Sequence, residues 1–235
     1  MELFRNVLQV PYSAIQKNSH PIRGKWNSDF FDKDKPIVLE LGCGKGEYVV
    51  GLSKFIPSNN YVGVDIKGAR MWKGAKYAHE HQLVNTGFLR THIELIDRFF
   101  APSEVSEIWL TFPDPQMKKT RKRLTSTRFV ELYRKFLKPG GIIHLKTDSN
   151  FQYLYTLAMA NENNFEIIHQ IDDVHHSDHQ LPYLSIKTFY EKQWIARGLS
   201  IKYLSFIPHR QKLIEPDVDI EPDTYRSFGR GAISV

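Results

Sequence analysis

A carboxylate held between two prolines is the first group in this chain placed to do chemistry. Asp114 sits in Thr111–Leu124, TFPDPQMKKTRKRL, where five of the six residues Lys118–Arg123 are basic. Proline fixes its own φ and biases the residue before it towards extended geometry, so Asp114 is expected on a stiff, preset backbone. The apolar run Ile108–Phe112 reads as a short buried strand, which puts the acid at a strand's C-terminal end. A rigid acid beside a dense cationic run fits a small pocket next to a polyanion site. A solvated basic loop after an ordinary turn, with Asp114 as a turn former, is the alternative.

A second constellation lies upstream. Ile37–Leu41 (IVLEL) leads into Gly42-Cys43-Gly44-Lys45-Gly46, then a helical spacing over Glu47–Phe55, then the strand-like Tyr61–Asp65 (YVGVD). Strand, glycine-rich turn, helix, strand and acid in this order form a nucleoside-binding fingerprint. Gly42, Gly44 and Gly46 let the backbone approach a ligand, and Asp65 accepts hydrogen bonds from ribose hydroxyls. The spacing is G-x-G-x-G rather than the G-x-G-x-x-G usual for NAD, and the acid Glu40 faces the same turn. Both details favour S-adenosyl-L-methionine, whose sulfonium is positive and which lacks a pyrophosphate; NAD remains open.

The elements that must position these groups alternate along the chain. Helical spacing covers Gly68–His81, Thr127–Leu137 and Asn150–Asn161, and strand-like runs cover Gly87–Leu89, Glu107–Phe112, Gly141–Lys146 and Phe165–His169. The Gly141–Lys146 run ends at Thr147-Asp148, a second acid at the same edge, which could alternatively cap the next helix. Thr188-Phe189-Tyr190-Glu191 opens a helix to Ala196 with capping-box spacing, and Leu199–Phe206 reads as a final strand. The pattern predicts an α/β, Rossmann-like, mostly parallel doubly wound sheet with an antiparallel edge strand and ligands at the strands' C-terminal ends. One domain is expected, with an N-terminal arm over 1–35, a core over 36–206 and an appended tail over 207–235. Asp172–His179 places His175 and His179 four apart. No cysteine or distant ligand set completes a tetrahedral site, so a polar surface loop is expected and no metal.

Composition bounds the rest. The chain has 235 residues, 41% hydrophobic and 13% aromatic, enough for a sizeable core. A net charge of +6, concentrated at Lys118–Arg123, favours a polyanionic partner. Cys43 has no second cysteine to pair with and fits a reducing compartment. No secretory leader and no apolar run approaching ~18 residues appear, so a soluble cytoplasmic protein without a membrane partner is expected.

Asp114, Asp148 and Glu191 are acceptors when ionised. If a methyl donor lies over Gly42–Gly46 and RNA along Lys118–Arg123, a guanine would present N1–H and N2–H₂ donors on one edge and the N7 lone pair on another. Carboxylates gripping the donor edge would then point N7 at the sulfonium methyl. Neutral guanine carries no proton on N7, and attack there requires no general base. The absence of paired cysteine nucleophiles disfavours thiolate attack on a pyrimidine ring. LELGCGKG (39–46), FPDP with its basic run (112–123), KTD (146–148) and TFYE (188–191) together resemble the bacterial tRNA (guanine-N7)-methyltransferase family, in order, over about Asn6 to Phe206. The resemblance implies a Rossmann-like fold, S-adenosyl-L-methionine as donor, and a guanine of the tRNA variable loop as acceptor. By motif it assigns Glu40, Gly42, Gly44, Gly46 and Asp65 to the donor. It assigns Asp114 to the catalytic centre, touching donor and base, and Lys118, Asp148, Thr188, Phe189, Tyr190 and Glu191 to the substrate. Two positions depart from the family. Gln116 stands where a Trp often follows FPDP. Arg90-Thr91-His92-Ile93 stands where an acid usually contacts the donor, leaving that contact to His92 or to backbone. A non-catalytic RNA-binding protein with a vestigial pocket and a nicotinamide-dependent dehydrogenase are the competing classes.

Overall fold

A computed structural model of the chain describes residues 4–209 and 211–225. Its centre is β2 (Ile37–Leu41), whose five residues are all buried, as a continuous aliphatic run requires when both sheet faces are covered. The other strands are β1 (Val7–Gln9), β3 (Asn60–Asp65), β4 (Thr86–Arg90), β5 (Val105–Thr111), β6 (Leu137–Thr147), β7 (Glu166–Ile171) and β8 (Lys202–Ile207). They form one eight-stranded sheet in the order β1-β4-β3-β2-β5-β6-β8-β7. From β2 the chain moves outward through β3 to β4, then returns to the other side of β2 as β5. The strand order therefore reverses between β2 and β5, and a crevice opens beyond their C-terminal ends.

Helices α2 (Glu47–Phe55) and α3 (Gly68–Glu80) bury side chains such as Leu52 and Met71 in one apolar layer. On the opposite face α4 (Thr127–Tyr133) and α5 (Asn150–Glu162) bury Phe129, Val130 and Met159 in another. The short α1 (Tyr12–Ile15) precedes them, and α6 (Phe189–Ala196) follows.

Several expectations change at this level. All pairings are parallel except those of β8, which lies antiparallel between β6 and β7, so the antiparallel part sits at that end of the sheet with β7 outermost. The helix expected to reach Leu137 ends at Tyr133, and Leu137 already belongs to β6. The N-terminal arm is part of the packing. β1 pairs parallel with β4. Trp26, fully buried, stacks on Phe100 with ring centroids 5.1 Å apart and donates its indole N–H to the Phe99 carbonyl at 2.9 Å. Glu104 accepts hydrogen bonds from the backbone amides of Gly24, Trp26 and Ala101. The arm's elements are short (β1, α1 and one π-helical turn over Trp26–Phe31) and joined by loops, so no sustained period shows in the sequence. No described helix is long and apolar enough to cross a membrane.

Trp26→Ala should therefore lower the unfolding free energy by ~3–5 kcal/mol, the cost of emptying a well-packed aromatic site. Denaturant unfolding measures it; a loss under ~1 kcal/mol would place the arm outside the cooperative core.

Candidate active site at the crevice between β2 and β5

Gly42, Gly44 and Gly46 adopt φ of +81°, +54° and +71°, the left-handed region open to glycine. A Cβ on Gly46 would stand 2.6 Å from the Phe88 ring, whereas one on Gly42 or Gly44 would meet nothing within 4 Å. The turn is packed behind and bare in front. Asp65, at the end of β3, accepts the Gly44 amide at 2.9 Å and the Lys67 amide at 2.8 Å, one on each carboxylate oxygen. Each oxygen retains a further lone pair. Gly42, Asp65, Thr91, His92 and Gln116 help line a cavity of about 270 Å³. The Thr91 hydroxyl is buried there with no hydrogen-bond partner, a state that calls for a ligand or solvent atom. His92 is exposed and lies edge-on to Tyr12 at 5.7 Å. It separates this cavity from a second of about 400 Å³ bounded by Gln9, Pro11, Tyr12 and Arg90. Bare glycine backbone, a strand-end carboxylate and an orphaned hydroxyl fit a nucleoside, so the residues present suit S-adenosyl-L-methionine. Tyr12, which lines the second cavity, escaped the sequence reading because only tertiary placement brings it beside His92.

Glu40 faces inward rather than forming an acidic rim. It is 1% exposed. One oxygen accepts the Val49 amide at 2.8 Å and the other the Thr111 hydroxyl. Gly46 is the N-cap of α2 and offers no side chain, so Glu40 satisfies an amide that a capping residue would otherwise take. Burial pushes its pKa up to about 8 against the downward pull of those two hydrogen bonds, because a lone buried charge is costly.

Across the crevice Asp114 is exposed between two buried prolines. Phe112 and Gln116 on either side have φ of +51° and +47°, a conformation that non-glycine residues hold only when their surroundings impose it. Asp114 accepts the Gln116 amide at 3.0 Å, and the Phe112 amide donates to the Lys146 carbonyl at 2.8 Å. The stiffness expected from proline is thus reinforced on both sides and referenced to β6. Asp148, just past β6, is buried and does not cap α5; Ser149 does, accepting the Gln152 amide at 2.9 Å.

The basic run divides. Lys118, Lys119, Arg121 and Lys122 are exposed, but Arg123 is buried. Its guanidinium lies 4.7 Å from the Phe151 ring and 4.3 Å from the Tyr155 ring, and donates to the carbonyls of Met117 (2.9 Å) and Gln116 (3.3 Å). Arg123 therefore anchors the Asp114 turn to α5 by cation–π and hydrogen-bond contacts, and the other four basic residues of the run remain at the surface.

At the head of α6 the capping box is present with both hydrogen bonds. Glu191, expected at the substrate, is 0% exposed. Its carboxylate meets the Lys146 ammonium at 2.8 Å and His175 Nε2 at 3.0 Å. Lys146 also donates to the carbonyls of Leu184 and Ile186, both at 2.9 Å. Burial lowers the Lys146 pKa and Glu191 pulls it back up. With Thr188 also buried, Phe189 and Tyr190 are the residues of this motif turned outward. Lys45 of the glycine turn lies 3.4 Å from the Phe189 ring centroid, and Glu47 accepts the Phe189 amide at 2.8 Å. His179 bonds the Val174 carbonyl, apart from His175.

The raised pKa of Glu40 has a signed consequence. The folded state keeps this proton where the unfolded chain loses it, so Glu40 costs stability as pH rises from 4.5 towards about 8. Glu40→Gln should gain stability relative to wild type across that interval, by at most roughly 1.4 kcal/mol per pH unit. Urea unfolding at a series of pH values tests it; a pH-independent difference would mean that Glu40 is ionised when folded.

A family profile described as "Putative methyltransferase" matches residues 34–204. The tRNA (guanine-N(7)-)-methyltransferase of Bacteroides fragilis is 56% identical over 98% of this chain and 92% of that protein. The protein of that name from Porphyromonas gingivalis is 54% identical over 98% and 96%, and one from Listeria monocytogenes 32% identical over 79% and 86%. Among solved structures, the 16S rRNA methyltransferase KamB aligns over 86% of this chain and 96% of its own, with TM-score 0.59 and 14% identity. A 30S ribosomal A1408 methyltransferase from an uncultured bacterium aligns over 77% and 92% with TM-score 0.57 and 14% identity. These two share the fold. The crevice, its glycine turn and the identity along nearly the whole length agree: the chain belongs to the tRNA (guanine-N7)-methyltransferase family, whose methyl donor is S-adenosyl-L-methionine.

Proposed function

We propose that this chain transfers a methyl group from S-adenosyl-L-methionine to N7 of a guanine in the variable loop of tRNA, in the cytoplasm. The observation that carries the reading is the opposition of two preset turns across the β2–β5 crevice. One is the bare glycine backbone with Asp65, and the other holds Asp114 between left-handed neighbours. The exposed cations Lys118, Lys119, Arg121 and Lys122 continue from the second turn, where a nucleic-acid backbone would be held.

The donor supplies a methyl group activated by positive sulfur. Gly42, Gly44, Gly46 and Asp65 hold it, with Thr91 and His92 on its adenine side and Glu40 holding the turn from behind. Asp114 stands at the junction of donor and base. Asp148 accepts from the donor edge of guanine, and Phe189 and Tyr190 offer aromatic faces for the base or its neighbours. Thr188 and Glu191 act through position, fixing the turn that presents those two rings. Lys118 and its exposed neighbours neutralise phosphates. Attack by an N7 lone pair needs no proton removed beforehand, so the protein's work is orientation and compensation of the positive charge that grows on the purine. Family membership sets aside the dehydrogenase reading. The open cradle and the placement of Asp65 favour an active enzyme over a vestigial pocket.

Asp114→Asn should lower kcat by ~10²-fold or more while donor and tRNA affinities stay within a few-fold, the pattern of an interaction made mainly in the transition state. Equal losses in kcat and tRNA affinity would reassign Asp114 to binding. A wild type that binds tRNA but no donor would instead support the non-catalytic reading. Arg121→Gln and Lys122→Gln should each reduce the slope of log affinity for tRNA against log salt by about 0.7–0.9. Arg123→Gln should leave the slope unchanged and lower the melting temperature. A slope change at Arg123 as large as at Arg121 would return it to the RNA face.

A further inference from the structure

The matched family region stops at residue 204, but the chain beyond β8 returns to the crevice. Arg134, the C-cap of α4, donates to the carbonyls of His209 and Gln211. Asn163 exchanges two hydrogen bonds with the backbone of Ile214, at 2.8 and 2.7 Å. Glu215 accepts from the Thr127 hydroxyl at 2.6 Å and from the Tyr155 hydroxyl. Asp223, 6% exposed, accepts from the Ser149 hydroxyl and from the Phe151 amide at 3.1 Å. The Asp223 amide points at the Met117 sulfur at 3.3 Å. Finally the Tyr225 hydroxyl lies 2.8 Å from the Asp148 carboxylate and 2.9 Å from the Asp148 carbonyl, while its ring sits edge-on to Trp194 of α6 at 5.6 Å. The segment thus reaches all three substrate-side pieces: the Asp114 turn through Met117, the β6 end through Asp148, and α6 through Trp194.

We propose that Tyr225 is a positioning residue for Asp148, completing the guanine site from outside the region that the family profile covers. This rests on the reading of Asp148 given above. A carboxylate's terminal torsion is broad, so an Asp at a binding site points well only when another group holds it. Tyr225 is suited to that task, because its ring is set against Trp194 and the chain two residues earlier is locked to the start of α5 by Asp223. The same lock argues against a removable plug: lifting Tyr225 away would strain or break the buried Asp223 contacts. Site residues held by packed, hydrogen-bonded neighbours keep productive geometry, and a displacement near 1 Å can cost ~10²-fold in rate.

The test uses the full-length protein and the variants Tyr225→Phe, Asp148→Asn and their combination, with unmodified tRNA transcript as substrate. Tyr225→Phe keeps the ring against Trp194 and removes only the hydroxyl. It should lower kcat/KM for tRNA by ~10-fold, the loss of a hydrogen bond to a charged group, with donor affinity unchanged and the melting temperature lowered by only a few degrees. In the Asp148→Asn background the same change should cost under ~2-fold, because coupled residues are not additive. An undiminished loss in that background would show that Tyr225 acts independently of Asp148 and overturn the proposal. So would an active wild type whose kcat/KM is unchanged or raised by Tyr225→Phe, the latter marking the segment as an obstruction. A wild type that methylates no tRNA guanine removes the underlying reading, and this proposal with it.

Discussion

The fully buried pair of Lys146 and Glu191 is the interaction on which the arrangement of the site depends. An ammonium has three protons to place, and here they go to Glu191 and to the carbonyls of Leu184 and Ile186. Glu191 in turn takes His175 and the Thr188 amide. Withdrawing two charges from water is costly, so such a pair is a weak source of net stability. Its effect is to make one geometry far better than its neighbours, since removing either partner leaves an uncompensated buried charge. β6, the segment before α6 and the head of α6 are thereby held in one register. Phe189 then meets Lys45 of the glycine turn and Glu47 at the start of α2, and the head of α6 and the glycine turn share a frame.

The acids of the crevice divide by environment. Glu40 and Glu191 are buried and bind elements of the fold to one another. Asp65 and Asp114 keep solvent or cavity access while each accepts from nearby backbone amides. Asp148 lies between these extremes, buried but at the strand end, with Tyr225 against it. Position relative to the sheet decides the role. An acid inside the crevice wall must be neutralised or paired, whereas one at or beyond the strand ends stays open to solvent or cavity.

Local, periodic signals were legible in the sequence. The aliphatic run of β2, the glycine turn, the whole extent of α2 and the acid ending β3 depend on residues close in the chain. So does the capping box of Thr188 and Glu191. What was hidden depends on distant partners. Nothing in Lys118–Arg123 marks Arg123 as the one turned inward, because the Phe151 and Tyr155 rings that receive it lie on α5. The arm looked structureless because Trp26 packs on Phe100 rather than on its own neighbours. The tail has no period for a similar reason: Glu215, Asp223 and Tyr225 make isolated contacts from an extended chain. Glu40 was legible as an acid beside the glycine turn but not in its orientation, which follows from an N-cap glycine that has no side chain of its own.

The most direct measurement is nucleoside analysis by mass spectrometry of an unmodified tRNA transcript incubated with the purified protein and S-adenosyl-L-methionine, with the modified position mapped by fragment sequencing. The account predicts N7-methylguanosine at a single guanine of the variable loop. Methylation of another base or another atom, or no product under conditions where donor and tRNA both bind, would contradict it.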